Sequence, residues 1–160
     1  MKYLDTSAFV KYYYEEEKGF DKVSKLIEEA KDGKESLISS ILVVGEAISV
    51  FDKWVRLKLI TQEELDGVIK RFLADVKQMA DVGSLILEPI STAVVIFCLE
   101  IIVKHHISIN DAIHLYTALT NKNLIGQFVC SDKMLLEAAK NEGLEVENPG
   151  EEQNGKEPSN

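Results

Sequence analysis

Four acidic residues, Asp5, Glu46, Asp111 and Asp132, stand where strands give way to helices or shortly after a helix has begun. Each has an ordinary structural use. Asp5 can cap the helix that follows Tyr3-Leu4, Asp111 lies at the N3 position of a box opened by Ser108, and Asp132 falls in a first helical turn, where the macrodipole favours negative charge. Glu46 can stand on a solvated edge. Together they read differently. Asp5 and Asp132 each close a strand and open a helix, and in a parallel sheet such junctions share one edge, where ligands sit. Asp111 opens a helix that starts at the same edge if the preceding helix covers a strand. Glu46 lies about a turn and a half into the helix after the second strand. Its neighbours Val43 and Val50, at i−3 and i+4, are apolar, so it borders a buried face where an unpartnered charge is costly.

Carboxylates drawn together in this way raise one another's pKa unless a cation lies between them. Oxygen donors without cysteine or clustered histidine suit Mg²⁺ or Mn²⁺ rather than zinc. Such ions hold phosphate oxygens, activate water and stabilise a leaving oxygen, so the chemistry expected is phosphodiester hydrolysis. Other catalytic layouts are missing: there is no glycine-rich phosphate loop, no GxSxG elbow and no cysteine placed for attack. His114, one turn after Asp111, is a candidate proton shuttle; the plainer reading packs it among Ile113, Leu115 and Tyr116.

The elements that must position these residues follow from periodicity and punctuation. Tyr3-Leu4-Asp5 is a short strand, and Ser7 to Tyr14 reads as a helix. Phe20 to Lys31 keeps helical spacing and ends at Asp32-Gly33. Ser36 to Ser40 is the second strand and Ile41 to Lys58 a long helix, with Phe51 and Trp54 as core or a subunit contact. Thr61 and Glu64 form a capping box for a helix running to about Val82. Leu85 to Glu88, Gly126 to Cys130 and Leu144 to Glu147 complete five strands. Helices from Ser91 or Thr92 to His106, from Ser108 to about Asn121, and from Lys133 to Asn141 fill the rest. This alternation predicts an α/β fold of three layers, α/β/α, around a mostly parallel sheet of about five strands. One domain spans 1–149, and an acidic tail, 150–160, reads as disordered.

Length and composition agree with one domain of ordinary hydrophobicity. The net charge is −9, of which −5 falls from Glu142 onward. An acidic chain lacks the broad basic face of a DNA-binding module, which counts against tight nonspecific nucleic-acid binding but not against a metal-bridged phosphate contact. No run is long enough to span a bilayer and no leader opens the chain, so the expected location is the cytoplasm. Cys98 and Cys130 sit in apolar runs and read as buried free thiols. Lys11, Lys53, Arg56 and Lys133 are candidates for backbone contacts to a nucleic acid.

Four stretches, Tyr3–Val10, Ser39–Ala47, Ile109–Leu119 and Val129–Pro149, stand in an order and spacing that resemble a PIN-domain protein, and in particular the VapC-type toxins of prokaryotic toxin–antitoxin pairs. They span nearly the whole chain except the tail. The resemblance implies a metal-dependent endoribonuclease with Asp5, Glu46, Asp111 and Asp132 as its acidic quartet, Asp5, Asp111 and Asp132 holding Mg²⁺ or Mn²⁺. It implies that Thr6, Ser7 and Ser131 orient those carboxylates through their hydroxyls. It also implies an RNA substrate, a homodimer, and a cognate antitoxin whose tail enters the acidic groove. The helix from Thr61 to Val82 is long for the smallest toxins of this type. Two other readings stay open beside it. One is a receiver-like phosphoacceptor module with an acidic Mg²⁺ site, although Asp5 stands alone where receivers carry paired acids. The other is a protein that keeps the fold as a binding module without activity.

Overall fold

A computed structural model describes residues 1–151. Five strands, β1 (Lys2–Leu4), β2 (Leu37–Ser40), β3 (Leu85–Glu88), β4 (Gln127–Val129) and β5 (Val146–Glu147), form one sheet in the order β3-β2-β1-β4-β5. All four pairings are parallel. The chain steps from β1 out to β2 and β3, then returns to place β4 and β5 on the other side of β1. The reversal opens a crevice at the carboxyl ends of β1 and β4, the place where such sheets bind ligands. A flavodoxin-like receiver has strand order 2-1-3-4-5. The order here is different, which removes the receiver alternative.

Side chains alternate across the sheet with period two. Leu4, Leu37 and Val129 pack under a layer containing α1 (Thr6–Phe9), α2 (Phe20–Lys31), α3 (Leu42–Arg56) and α4 (Gln62–Val82). Tyr3, Ile38 and Phe128 face the opposite layer of α5 (Thr92–His105), α6 (Ile109–Thr120) and α7 (Lys133–Asn141). Both faces are therefore dry, as a parallel sheet requires. Phe51 and Trp54 are buried core, and Cys98 and Cys130 are buried free thiols. No single helix is long and apolar enough to cross a membrane.

Several predicted elements take different bounds. The expected helix from Ser7 to Tyr14 divides into α1 and a 3₁₀ turn, Val10–Tyr13. The tighter winding buries Tyr12 and Tyr13 together, with Tyr13 ringed by Phe9, Phe51 and Phe72. Those tyrosines are core residues. The box of Thr61 and Glu64 is present at the start of α4. The fifth strand is shorter than predicted.

The described chain also stays ordered past the predicted end of the domain. Pro149 and Gly150 lie over Gly19, Glu151 N donates to Asn148 O at 3.1 Å, and Lys22 donates to Glu151 O at 2.6 Å. The rest of the predicted tail, 152–160, lies outside the described residues.

Buried polar groups brace the layer beneath α1. Asp75 of α4 is 6% exposed and takes Lys31 at 3.0 Å and the Tyr13 hydroxyl at 3.1 Å. It ties α4 to α2 and to the 3₁₀ turn that leads away from Asp5. Removing one partner leaves Lys31 and Tyr13 facing a void. Asp75→Ala is expected to lower the free energy of unfolding by about 3 kcal/mol, measured by urea denaturation. A loss under about 0.5 kcal/mol, the scale of an unremarkable surface change, would show that the brace carries no weight.

Candidate active site

Asp5 follows the last residue of β1. Its backbone N–H donates to Val129 O at 3.0 Å, which extends the pairing with β4 by one step. The residue then caps α1: Asp5 Oδ2 accepts the Ser7 N–H at 2.9 Å and the Ser7 hydroxyl at 2.6 Å. The Ser7 Oγ in turn accepts the backbone N–H of Ser131 at 2.8 Å. One hydroxyl thus joins the ends of the two strands that flank the crevice. Cys130 adds a second joint. Its Sγ lies 3.5 Å from Asp5 Oδ2 and accepts the Asp132 N–H at 3.2 Å. Burial, together with the Asp5 charge, pushes the Cys130 thiol far above its ordinary range, so it stays a thiol.

Asp132 caps α7, with Oδ1 accepting from Leu135 N at 2.9 Å. Asp111 lies in the first turn of α6, whose cap is Ser108. It makes half of the expected box: its backbone N–H donates to Ser108 Oγ at 3.2 Å, while its Oδ2 accepts the Ser108 hydroxyl at 2.7 Å rather than the Ser108 backbone N–H. Burial pushes the Asp111 carboxyl up, and the Asp5 and Asp132 charges add to the rise against the opposing Ser108 bonds.

Glu46 lies in the second turn of α3 and turns inward. Its Oε2 accepts the Thr6 hydroxyl at 2.5 Å and meets His114 Nε2 at 2.8 Å. Burial pushes this carboxyl up, but the His114 and Thr6 bonds more than offset it and hold it below the usual range. His114 is 1% exposed. Its Nδ1 is 2.8 Å from the Tyr3 hydroxyl and 3.8 Å from Asp5 Oδ1. The Tyr3 oxygen also accepts the Ser40 N–H at 3.1 Å. A consistent direction runs through these contacts: Ser40 N–H to Tyr3, Tyr3 O–H to His114 Nδ1, and His114 Nε2–H to Glu46. Burial lowers the His114 pKa, yet the bond to Glu46 and the charges of Asp5, Glu46 and Asp111 leave it raised.

The structure therefore brings Asp5, Glu46, Asp111 and Asp132 to one edge, near enough for their charges to act on shared neighbours. Thr6 and Ser7 present hydroxyls to two of them. Ser131 departs from expectation. Its hydroxyl is buried without a hydrogen-bond partner, and only its backbone N–H supports the site, through Ser7. The sequence reads His114 as a candidate proton shuttle or, more plainly, a packed residue, and does not tie it to Glu46. Its inward position three residues after Asp111 was the available signal, but nothing local announced Tyr3 or Glu46 as partners. Among the basic candidates, Lys11 is buried and bound to Glu17 at 3.0 Å, and Arg56 pairs with Asp52 at 2.9 Å. Lys53 and Lys133 are exposed and make no ion pair among the described residues.

The donor set suits a hard divalent cation. Among the described residues, Asp5 Oδ1, Asp111 Oδ1 and Asp132 Oδ2 accept no hydrogen bond, while each partner oxygen is held. No group of three or more His, Cys, Asp or Glu side chains is drawn into a coordinating set among those residues. Asp111 is held by the Ser108 hydroxyl and Asp132 by the amide of Leu135, both contacts of the helix caps.

The family described as the PIN domain matches residues 2–141. The chain belongs to the PIN-domain family. PIN domains are generally metal-dependent nucleases. The fold resembles the crystal structure of PAE2754 from Pyrobaculum aerophilum, with a TM-score of 0.59 over 91% of this chain and 90% of that one. At 19% identity this likeness speaks to the fold alone. No curated protein matches the chain.

Two substitutions test the electrostatics without any assay of activity. In buffer free of divalent ions, Asp111→Asn removes a charge that burial, Asp5 and Asp132 disfavour, so it raises the melting temperature at neutral pH. A raised carboxyl pKa makes the ionised form the costly one, so the gain fades as the pH falls and wild-type Asp111 takes its proton. Ser7→Ala strands the Ser131 N–H and lowers stability by about 1–3 kcal/mol. A lower melting temperature for Asp111→Asn at neutral pH would contradict the mutual repulsion.

Proposed function

We propose that this PIN-domain protein is a Mg²⁺- or Mn²⁺-dependent endoribonuclease, the toxin of a VapBC-type pair. What carries this reading is the crevice between β1 and β4, where three carboxylates each offer an oxygen that accepts no hydrogen bond among the described residues. Asp5, Asp111 and Asp132 would hold the ion. When bound, it would neutralise a phosphate and activate water. Glu46 is kept ionised by Thr6 and His114, with Oε2 occupied, and its other oxygen would orient the attacking water. Ser7 fixes the Asp5 carboxylate and, through Ser131 N, the approach of β4. Lys53 and Lys133, which make no ion pair among the described residues, would receive the flanking phosphates.

The substrate class follows from shape: an unpaired backbone enters a narrow crevice where a duplex would not, so single-stranded RNA is favoured. The toxin assignment rests on the four stretches that resemble VapC-type proteins. A cationic antitoxin segment would complement the acidic edge. The homodimer is supported by α5, which exposes Val95, Ile96, Phe97, Leu99 and Val103. Exposed apolar residues in this number on one helix are characteristic of a contact surface. The cytoplasm is the proposed location.

The test is cleavage of a single-stranded RNA mixture, followed on a sequencing gel with and without divalent ions. Cleavage is expected with Mn²⁺ or Mg²⁺ and none with a chelator. Asp5→Asn is expected to reduce the rate by at least about a hundredfold, the scale of losing an ion that stabilises transition-state charge by several kcal/mol. Thr6→Val, which frees Glu46 of one partner, is expected to act more mildly. Wild-type cleavage by the Asp5→Asn protein, or cleavage in chelator, would refute the assignment. Failure to cut any RNA with Mn²⁺ present would favour a binding module that keeps the fold without the activity.

A further inference from the structure

One buried histidine joins the acidic edge to the middle of the sheet. His114 of α6 is 1% exposed and Tyr3 of β1 is wholly buried. The Tyr3 oxygen accepts the Ser40 N–H from β2 at 3.1 Å and lies 2.8 Å from His114 Nδ1. On the other side of the ring, Nε2 meets Glu46 Oε2 at 2.8 Å. The series of contacts starts at a strand amide, passes through two buried side chains and ends on an acid of the site. The Glu46 side chain remains 23% exposed, so the carboxylate at the end of the series still meets solvent.

The surroundings leave the imidazole one orientation. The Tyr3 ring stacks on Phe128, with centroids 5.0 Å apart and planes at 10°, and stands edge-on to His114 at 85°. Its hydroxyl is therefore fixed in place. A half-turn of the imidazole about its χ2 bond would set a ring carbon against the tyrosine oxygen and another against Glu46, and both hydrogen bonds would be lost. Which ring nitrogen serves Glu46 is thus set by the bond that the other nitrogen makes. Asp5 Oδ1 stands 3.8 Å from Nδ1, beyond hydrogen-bond reach, so Tyr3 and not the acid aims the ring. Thr6 Oγ1 lies 3.4 Å from His114 Nε2 and donates to the same Glu46 Oε2, so two donors converge on one oxygen.

Folding alone does not call for this arrangement. Polar groups that only satisfy one another contribute little net stability, and an apolar set of the same shape would fill the layer as well. We propose that His114 is a positioning residue for the cleavage assigned above, aimed by Tyr3 and, through it, by the Ser40 amide. It grips Glu46 by Oε2 and so sets the angle at which the remaining oxygen meets the attacking water, without touching the substrate itself. The pairing of β1 with β2, which sets Tyr3 beside Ile38, thereby reaches the reacting groups. This inference rests on the ribonuclease reading for its reaction.

Two amides separate positioning from packing. The side-chain nitrogen of glutamine reaches the place of Nε2, and that of asparagine only the place of Nδ1. His114→Gln therefore keeps a donor on Glu46 and His114→Asn does not. The full chain, these two variants and Tyr3→Phe are assayed on single-stranded RNA with Mn²⁺ for kcat and KM, and their melting temperatures are recorded. His114→Asn is expected to lower kcat about a hundredfold, the scale of a displaced reacting group, with KM nearly unchanged. His114→Gln is expected to recover most of that loss, although both amides lower the melting temperature alike. Tyr3→Phe, which frees the ring, is expected to fall between the two. In the wild type, the His114 Nε2 proton is expected to exchange slowly in a ¹H–¹⁵N spectrum and its resonance to move in Glu46→Gln. A fast-exchanging proton that Glu46→Gln leaves unmoved would overturn the grip, even if no variant at position 114 folds. Equal kcat in the two amide variants, beside a wild type that cleaves, would overturn the positioning role and leave the ribonuclease reading standing. A raised KM with kcat unchanged would overturn it in favour of a substrate contact. A wild type that cuts no RNA would overturn both.

Discussion

Carboxylates crowded at one sheet edge repel one another, and every other feature of this site works against that repulsion. The chain assigns each acid a donor of its own. Asp5 has Ser7, Asp111 has Ser108, Asp132 has the amide of Leu135, and Glu46 has Thr6 and His114. In each aspartate one oxygen is held and the other accepts no hydrogen bond among the described residues. The acids are thereby fixed in place, each with one oxygen left over for the proposed cation. Asp111 is raised chiefly by burial, with the Asp5 and Asp132 charges adding to it, whereas Glu46, also buried, is held low by the His114 and Thr6 bonds.

The fold supplies the place for this crowding. Because β1 is central and β4 adds beside it after the excursion to β3, the two strand ends that carry Asp5 and Asp132 become neighbours despite a separation of most of the chain. The backbone bond from Asp5 N to Val129 O sets their approach, and Ser7 and Cys130 fill the gap between them. The layers on either side are dry and aromatic-rich near the site, so the helix starts that carry the acids have little freedom to drift.

Much of this was legible in the amino-acid order. Strand-to-helix junctions at Asp5 and Asp132 are local events with strong punctuation, and parallel topology follows from the alternation of periods. The Thr61–Glu64 box and the buried thiols are also local. What escaped was the cross-chain wiring. His114 read as a packed histidine or a proton shuttle, with no partner named, because Tyr3 and Glu46 come from distant segments and no spacing rule brings them to it. The resemblance made Ser131 an orienting hydroxyl, yet its amide meets Ser7 and its hydroxyl is buried without a partner among the described residues. Lys11 looked free until Glu17 and burial claimed it. The extension of ordered chain past Pro149 depends on Gly19 of a remote loop offering a surface without a side chain. Each miss is a tertiary contact between residues that carry no mutual signature.

The account rests on one cation binding among acids from three separate segments. Soaking a crystal in Mn²⁺ and collecting data at its absorption edge locates such an ion directly. The expected result is an anomalous peak in contact with carboxylate oxygens of Asp5, Asp111 and Asp132, lost in the Asp5→Asn protein. A peak absent from that crevice, or one bound by a single surface acid elsewhere, would contradict it.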